Sequence, residues 1–175
     1  DPTVENGKPT TGLTDIETIL GTGTNTAYVE KNSNIAKLSG LDPEGSMIIN
    51  AESGSMDKIH RSRFDIAMDS KTNDPGHNPF EKMIAGGYLG GIGLEVFKAA
   101  AKEGFFTQSA ADKISGMASL ATMDLDNFVA HFKKEGRENP LDTAFADPDD
   151  AKMARRLGIP VFERAAELLV LTEEV

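Results

Sequence analysis

The stretch Ile16-Glu-Thr-Ile-Leu-Gly-Thr-Gly-Thr-Asn-Thr-Ala-Tyr-Val-Glu-Lys31 decides the fold class of this 175-residue chain. Its first five residues form a short run rich in β-branched side chains, which stops at the glycines of residues 21–24. Residues 25–31 again have the composition of a strand, and a third apolar run at residues 47–51 follows a turn at residues 42–45. These segments predict a three-stranded antiparallel meander within residues 15–54.

The rest of the chain, residues 55–175, has helical patterns. The longest helix is predicted at residues 80–103, because apolar side chains recur there every three or four positions. Residues 1–14 are predicted to be an exposed loop, since they are rich in Gly, Pro, Thr and Asn. A meander followed by packed helices indicates an α+β fold. The other predicted helices are at residues 59–69, 108–115, 125–134, 148–157 and 160–173.

Composition excludes several classes of function. The chain has 18 Lys and Arg against 28 Asp and Glu, a formal net charge of −10, so nucleic acid is not an expected partner. It has no cysteine and only three histidines, which are far apart, so neither a disulfide nor a zinc site is predicted. No apolar run approaches the ~18 residues that a membrane helix needs. We therefore expect a soluble, cytoplasmic protein without membrane contacts.

The glycine-rich turn, Gly21-Thr-Gly-Thr-Asn25, is the sharpest local signal. Glycines allow a tight turn whose backbone N–H groups point at an anion such as a phosphate. A Gly-Thr-Gly-Thr sequence between strands is also an ordinary hairpin turn. The five residues alone leave both interpretations open.

Four carboxylates invite a functional interpretation, and each has a structural alternative. Glu52 follows the third strand, where it is either a ligand for sugar hydroxyls or an exposed glutamate. Glu81 lies in Asn78-Pro-Phe-Glu81, a sequence typical of a capping box. Asp65 and Asp69 lie one helical turn apart, where they either share a cation or lie on a solvated face near two arginines, the interpretation we favour.

Five glycines interrupt the predicted long helix, and each costs about 1 kcal/mol relative to alanine in a helix interior. Close approach of a neighbouring backbone or of a ligand is the expected reason for them, and a helix break near the third is the alternative. They are Gly86, Gly87, Gly90, Gly91 and Gly93.

Five blocks of the sequence, in the same order, resemble the large domain of the hexokinase family, and Arg164-Ala-Ala is similar to the family's Arg-Ala-Ala helix. The resemblance implies the actin-like ATPase, or ribonuclease H-like, fold, an α/β class by family, with residues 1–175 as part of the large domain. The blocks are Leu20-Gly-Thr-Gly-Thr-Asn-Thr-Ala-Tyr28, Met47-Ile-Ile-Asn-Ala-Glu-Ser-Gly54, Phe64-Asp65 with Asp69, Asn73-Asp-Pro-Gly76 and Phe80-Glu-Lys-Met-Ile-Ala-Gly-Gly-Tyr-Leu-Gly90.

The same resemblance implies residue roles, with a hexose such as glucose and Mg-ATP as ligands. It makes Asn25, Glu52 and Glu81 ligands of the sugar hydroxyls, which for Glu81 replaces the capping interpretation. It also assigns a set of residues to the nucleotide: Gly21, Thr22, Gly23, Thr24, Gly86, Gly87 and Thr122. Where the family has Asn-Thr-Glu-Trp-Gly, this chain has Asn50-Ala-Glu-Ser-Gly54, so the wall beside Glu52 is smaller.

The family's catalytic base is an aspartate in an Asn-Asp-Thr segment that precedes the glycine-rich turn. Asp1-Pro-Thr-Val4 does not match it, because Pro2 replaces the threonine and the next residues cannot continue as a helix. We therefore expect the base and the small domain upstream of Asp1, and no kinase activity from this chain alone. The alternatives are a non-catalytic sugar-binding module descended from a kinase, and an α+β interaction domain whose glycines and acids are structural.

Overall fold

A computed structural model describes residues 16–130 and 138–173 of the chain. Strands β1 (Ile16–Leu20), β2 (Thr24–Lys31) and β3 (Ser46–Asn50) form an antiparallel sheet in the order β1-β2-β3. Tyr28 of β2 pairs with Ile16 on one side and with Ile49 on the other. The predicted meander is therefore confirmed, whereas the loop predicted for residues 1–14 lies outside the described residues.

Helices make up most of the chain after the sheet, and a single turn of 3-10 helix at residues 53–55 connects β3 to them. Seven α-helices lie in the described residues: α1 (Arg63–Asp69), α2 (Pro79–Ile84), α3 (Leu89–Lys102), α4 (Gln108–Gly116), α5 (Thr122–Val129), α6 (Pro140–Ala144) and α7 (Pro148–Glu173). The α+β order predicted from the sequence is confirmed.

The apolar core lies among the helices. At its centre Phe145, at the end of α6, packs against three other aromatic rings with centroids 4.8 to 5.7 Å apart: Phe97, Phe106 and Phe128. All four rings are buried, and burial of one such side chain stabilises a fold by roughly 1.5–3 kcal/mol. These rings hold α3, α5 and α6 together.

The prediction of one long helix at residues 80–103 is wrong, because two helices, α2 and α3, cover that range. Ala85 takes up an extended backbone conformation and ends α2, and α3 begins at Leu89. In the connecting turn, the N–H groups of Gly86 and Gly87 donate to backbone carbonyls of the turn between β1 and β2 rather than to a helix. The apolar period continues through the break, so the pattern does not reveal it.

The C-terminal helices were predicted separately at residues 148–157 and 160–173, but α7 is one helix with Pro160 inside it. A proline in a helix interior removes one hydrogen bond. The helix continues because both halves bury side chains in the same core, Ala154 before the proline and Val161 and Ala165 after it.

Two helix starts and one additional helix also differ from the predictions. Residues 59–61 are not helical, because the side chain of Ser62 caps α1, which begins at Arg63. Helix α5 begins at Thr122 rather than at residue 125, and residues 131–134 of that predicted helix lie outside the described residues. The short helix α6 was not predicted; Asn139 caps it and Pro140 opens it.

Candidate functional site

The predicted sugar ligands Asn25 and Glu52 lie on neighbouring strand ends and are bridged by a third polar side chain. Asn25 stands near the start of β2, and its Nδ2 donates a hydrogen bond to Oδ1 of Asn50, the last residue of β3. Nδ2 of Asn50 in turn donates to Oε1 of Glu52 at 2.6 Å. The sheet register places this chain of amides and carboxylate along one end of the sheet.

Glu52 has an unusual backbone. Its φ of 50° and ψ of 44° lie in the left-handed region, which non-glycine residues rarely occupy. The turn at residues 53–55 follows directly, with the N–H and hydroxyl of Ser55 both donating to the carbonyl of Glu52. The side chain is exposed, so its carboxylate is accessible to a ligand. Such backbone conformations cluster at functional sites, because the surrounding structure must hold them.

Glu81 on α2 is directed at the sheet. Its Oε2 accepts the backbone N–H of Thr24 at 3.0 Å, and the hydroxyl of Tyr88 lies 3.4 Å from its Oε1. The capping box that the sequence suggested is wrong: the side chain of Asn78 makes no capping hydrogen bond, and its backbone is left-handed rather than extended. Burial and then the charge of Glu81 raise the pKa of Tyr88, so Tyr88 stays protonated and donates.

The three predicted sugar ligands are thereby brought together at one edge of the molecule. Glu81 binds the residue next to Asn25, and its Cβ lies 3.1 Å from where a Cβ on Gly54 would be, two residues after Glu52. Two carboxylates and an amide provide several acceptors and one pair of donors. This combination suits a ligand with several hydroxyl groups.

The glycine-rich turn, residues 21–24, packs against the connection between α2 and α3. The N–H of Gly86 donates to the carbonyl of Gly21 at 2.7 Å, and the N–H of Gly87 donates to the carbonyl of Thr22 at 3.1 Å. Gly21 and Thr22 are exposed on their other side. Six of the residues that were predicted to contact the nucleotide therefore lie together: Gly21, Thr22, Gly23, Thr24, Gly86 and Gly87.

Thr122, the seventh, contacts the start of α3, which follows this group of residues. Its Oγ1 accepts the backbone N–H of Gly90 at 2.9 Å. A Cβ on Gly90 would lie 2.4 Å from the carbonyl of Leu120 and 2.5 Å from the N of Thr122, so close approach of a neighbouring backbone explains this glycine. The helix break near Gly90, which the sequence left open as the alternative, is confirmed as well: it lies at residues 85–88, and Gly90 itself lies in the first turn of α3.

Asp65 and Asp69 are buried, so the solvated face predicted for them is wrong, and each is paired with basic side chains. Arg164 of α7 binds Asp65 with two hydrogen bonds of 2.7 Å each. Nζ of Lys82, which is 2% exposed, lies 2.8 Å from Asp69 Oδ1. Among residues 16–130 and 138–173, no group of three or more His, Asp or Glu side chains is arranged to hold a metal ion.

The two aspartates stay ionised in the fold. Burial raises the pKa of Asp69, but hydrogen bonds from Lys82 and Arg61 outweigh it and bring the pKa to about 2. Burial also raises the pKa of Asp65, but the hydrogen bonds from Arg164 and Ser62 outweigh it, so the pKa of Asp65 lies below its ordinary value. Sequence reasoning missed Lys82 as a buried cation, because its partner Asp69 lies 13 positions away on another helix.

The part of the chain that the structure describes contains no helix with the length and apolar character needed to cross a bilayer.

Comparison with known sequences gives a consistent result. The profile of the hexokinase family matches residues 15–172. Hexokinase-5 of Oryza sativa subsp. japonica is 43% identical over 111 residues, which are 61% of this chain and 22% of the rice protein. Hexokinase-2 of Saccharomyces cerevisiae is 34% identical over 179 residues, which cover 90% of this chain and 36% of the yeast protein. The chain thus spans well under half the length of these relatives.

Solved structures agree with the sequence comparison. The hexokinase of Schistosoma mansoni, determined in complex with glucose, superposes with a TM-score of 0.68 at 26% identity, covering 88% of this chain and 37% of that one. A second hexokinase crystal structure gives a TM-score of 0.64 at 27% identity, covering 90% of this chain and 34% of that one. The actin-like ATPase fold inferred from the resemblance is the fold of these structures. With a family profile that matches almost its whole length, this chain belongs to the hexokinase family.

Proposed function

We propose that this chain is the part of an ATP-dependent hexokinase that orients the sugar and the nucleotide phosphates. The parent enzyme transfers the γ-phosphoryl group of Mg-ATP to the 6-hydroxyl of a hexose, with glucose as the first candidate. One observation carries the proposal: Asn25, Glu52 and Glu81, which are far apart in sequence, meet at one edge directly beside the glycine-rich turn. A site for the acceptor therefore adjoins a site for the donor.

The sugar site works by positioning. The carboxylates of Glu52 and Glu81 accept hydrogen bonds from ring hydroxyls, and the amide of Asn25 both donates and accepts. Because Asn50 links Asn25 to Glu52, these two ligands are held at a fixed separation before the sugar binds. Fixing a reactant in this way removes much of the entropic cost of the reaction.

The phosphate site lies on the exposed side of the glycine-rich turn. The hydroxyl and N–H of Thr22 and the N–H of Gly23 are the groups we assign to the phosphates, and Thr122 supports the region through Gly90. Since the whole chain is acidic, these local dipoles and the Mg²⁺ that accompanies ATP must provide the positive potential. Stabilising the transferred group electrostatically is the main task of a phosphoryl-transfer site.

No residue of the chain is proposed as the base that takes the proton from the 6-hydroxyl. We therefore expect the 175-residue chain to bind glucose without forming glucose 6-phosphate. A cytoplasmic location is part of the same proposal, and the absence of cysteine is in keeping with it.

Glucose titration of the purified chain tests the proposal, with binding followed by the resonances of labelled backbone amides. We expect shifts at residues 24–26 and 50–54, and Glu81→Gln and Glu52→Gln each to weaken binding about tenfold or more, because a hydrogen bond to a charged group is worth roughly 1.5–3 kcal/mol. Glu44→Gln, on the exposed turn before β3, is the matched control and is expected to bind as the unchanged chain does. Absence of any glucose-dependent shift in the unchanged chain refutes the sugar site, and formation of glucose 6-phosphate with Mg-ATP refutes the expected inactivity.

A further inference from the structure

Gly86 and Gly87 were assigned to the nucleotide by resemblance, yet their backbone donors already have partners within the chain. Both N–H groups are directed at the glycine-rich turn, to the carbonyls of Gly21 and Thr22 at 2.7 and 3.1 Å. An N–H group has one hydrogen to donate, so it cannot bind a phosphate oxygen equally well at the same time. The connection between α2 and α3 therefore contacts the turn, and the turn faces outward.

The glycines are required for this contact. A Cβ on Gly86 would lie 2.9 Å from the carbonyl oxygen of Gly21, and a Cβ on Gly87 would lie 2.7 Å from that of Thr22. Neither distance is compatible with a normal carbon–oxygen contact, and both obstacles are backbone atoms, which cannot rotate away. The two positions can hold the turn at hydrogen-bonding distance only because they lack a side chain.

Glu81 adds a third attachment from the same segment. Its carboxylate accepts the N–H of Thr24, at the other end of the turn, at 3.0 Å. That carboxylate fits because Gly23 has no side chain: a Cβ there would lie 2.7 Å from Oε2. The turn is thus held at Gly21, at Thr22 and at Thr24, by groups that lie within seven residues of one another.

We infer that Glu81, Gly86 and Gly87 form a dock that fixes the glycine-rich turn, and that the two glycines are positioning residues for it rather than ligands of a phosphate. The inference deepens the proposed function and rests on it for the role of the turn. It also joins the two halves of the site, since Glu81 is both part of the dock and a proposed sugar ligand. The carboxylate of Glu81 accepts the Thr24 N–H, so a sugar that hydrogen bonds to Glu81 also affects the position of the turn.

Amide hydrogen exchange of the 175-residue chain without any ligand is the first test. We expect the amides of Gly86, Gly87 and Thr24 to exchange about tenfold or more slowly than unprotected peptide amides, because each is hydrogen bonded. Gly40, an exposed turn glycine, is the internal reference. Gly87 is itself exposed, so burial does not explain slow exchange there. Exchange of Gly86 and Gly87 at the rate of Gly40 would overturn the dock.

Gly87→Ala is the second test, with Gly116→Ala as its matched control. A Cβ at Gly87 meets the carbonyl of Thr22, whereas a Cβ at Gly116 meets nothing within 4 Å. We expect Gly87→Ala to accelerate exchange of the Thr24 amide about tenfold while amides in α4 and α5 are unchanged, and Gly116→Ala to leave the turn unaltered. Unchanged exchange at Thr24 in Gly87→Ala contradicts the inference. If Gly87→Ala does not fold, amide exchange of the unchanged chain without ligand still decides whether Glu81, Gly86 and Gly87 hold the turn.

Mg-ATP separates the inference from the proposed function. We expect the nucleotide to shift the amide resonances of Thr22 and Gly23, while protection of Gly86 and Gly87 changes by less than about twofold, since their partners are already in place. Protection of these two amides that arises only when Mg-ATP is added makes them ligands and overturns the inference. If the nucleotide shifts no resonance, the phosphate role of the turn is refuted, while slow exchange without ligand upholds the dock.

Discussion

The sheet and the helices of this chain are stabilised in different ways. Every buried apolar side chain of the described residues lies in the helical part, from Met68 to Ala165. Among strand residues whose side chains are described, only Thr24 is buried, and Ile19 and Ile48 are 70% and 73% exposed. Apolar burial therefore stabilises the helices, whereas polar contacts hold the part of the sheet that carries the proposed ligands.

This contrast separates two kinds of substitution. A change among the helices removes packing or leaves a buried charge unpaired, so it lowers the free energy of unfolding. A change at the end of the sheet that carries the proposed ligands alters a few hydrogen bonds near solvent, so it affects ligand binding with little loss of stability. The three predictions that follow test this separation.

The largest effect is expected for Lys82→Met, which removes the cation of a buried pair. Lys82 also donates to the backbone carbonyl of Asp74 and to the hydroxyl of Thr72. Its removal leaves the buried carboxylate of Asp69 with Arg61 and two neutral donors, the N–H of Gly76 and the hydroxyl of Thr72. The free energy of unfolding should therefore fall by about 3–5 kcal/mol, measured by urea denaturation.

Lys71→Met is the matched control, since the side chain of Lys71 pairs with Glu95 but is 55% exposed. An exposed pair contributes about 0–1 kcal/mol, so this variant should be nearly as stable as the unchanged chain. Equal losses in the two variants would show that burial of the Lys82 pair does not matter.

Acid should remove a smaller part of the same stabilisation. The pKa of Asp69 is about 2 in the fold, below its ordinary value of 3.8. A carboxyl with a lowered pKa stabilises the fold above its unfolded pKa, and this contribution is lost as the pH falls towards the folded value. The stability difference between the unchanged chain and Asp69→Asn should therefore shrink by about 2 kcal/mol between about pH 5 and about pH 2. A constant difference over this range would contradict the lowered pKa.

The same contrast explains which features could be predicted from the sequence. The meander was predictable because its strands are consecutive and its turns have local signals at residues 21–24 and 42–45. The sugar-site residues were identified by resemblance, and their meeting at one edge depends on the sheet register. The pattern of a single strand or helix contains none of this information.

Long-range contacts account for the errors. The Asp65–Arg164 pair joins residues 99 positions apart, so nothing near Asp65 indicates that it is buried. The break between α2 and α3 depends on carbonyls of the turn at residues 21–22, and the local apolar period continues through it. Pro160 had the opposite effect, because a local signal that normally ends a helix was overridden by packing on both sides.

The smallest effect on stability, with a clear effect on binding, is expected for Gly23→Ala. The new Cβ would lie 2.7 Å from Oε2 of Glu81, and this carboxylate can rotate away because it ends a flexible side chain. The hydrogen bond to the Thr24 N–H is then lost, together with the longer contact of 3.4 Å to the hydroxyl of Tyr88, so unfolding should become easier by about 1 kcal/mol.

Glucose binding should nevertheless weaken about tenfold in Gly23→Ala, because Glu81 is displaced from the sugar edge. Gly21→Ala is the matched control in the same turn, since a Cβ there has no atom within 4 Å, and it should bind glucose as the unchanged chain does. Comparison of the two variants by glucose titration and urea denaturation separates displacement of Glu81 from general stiffening of the turn. If both variants weaken glucose binding equally, the flexibility of the turn rather than the position of Glu81 controls the sugar site. If Gly23→Ala destabilises the chain as much as Lys82→Met does, this end of the sheet is as important to folding as the helical core.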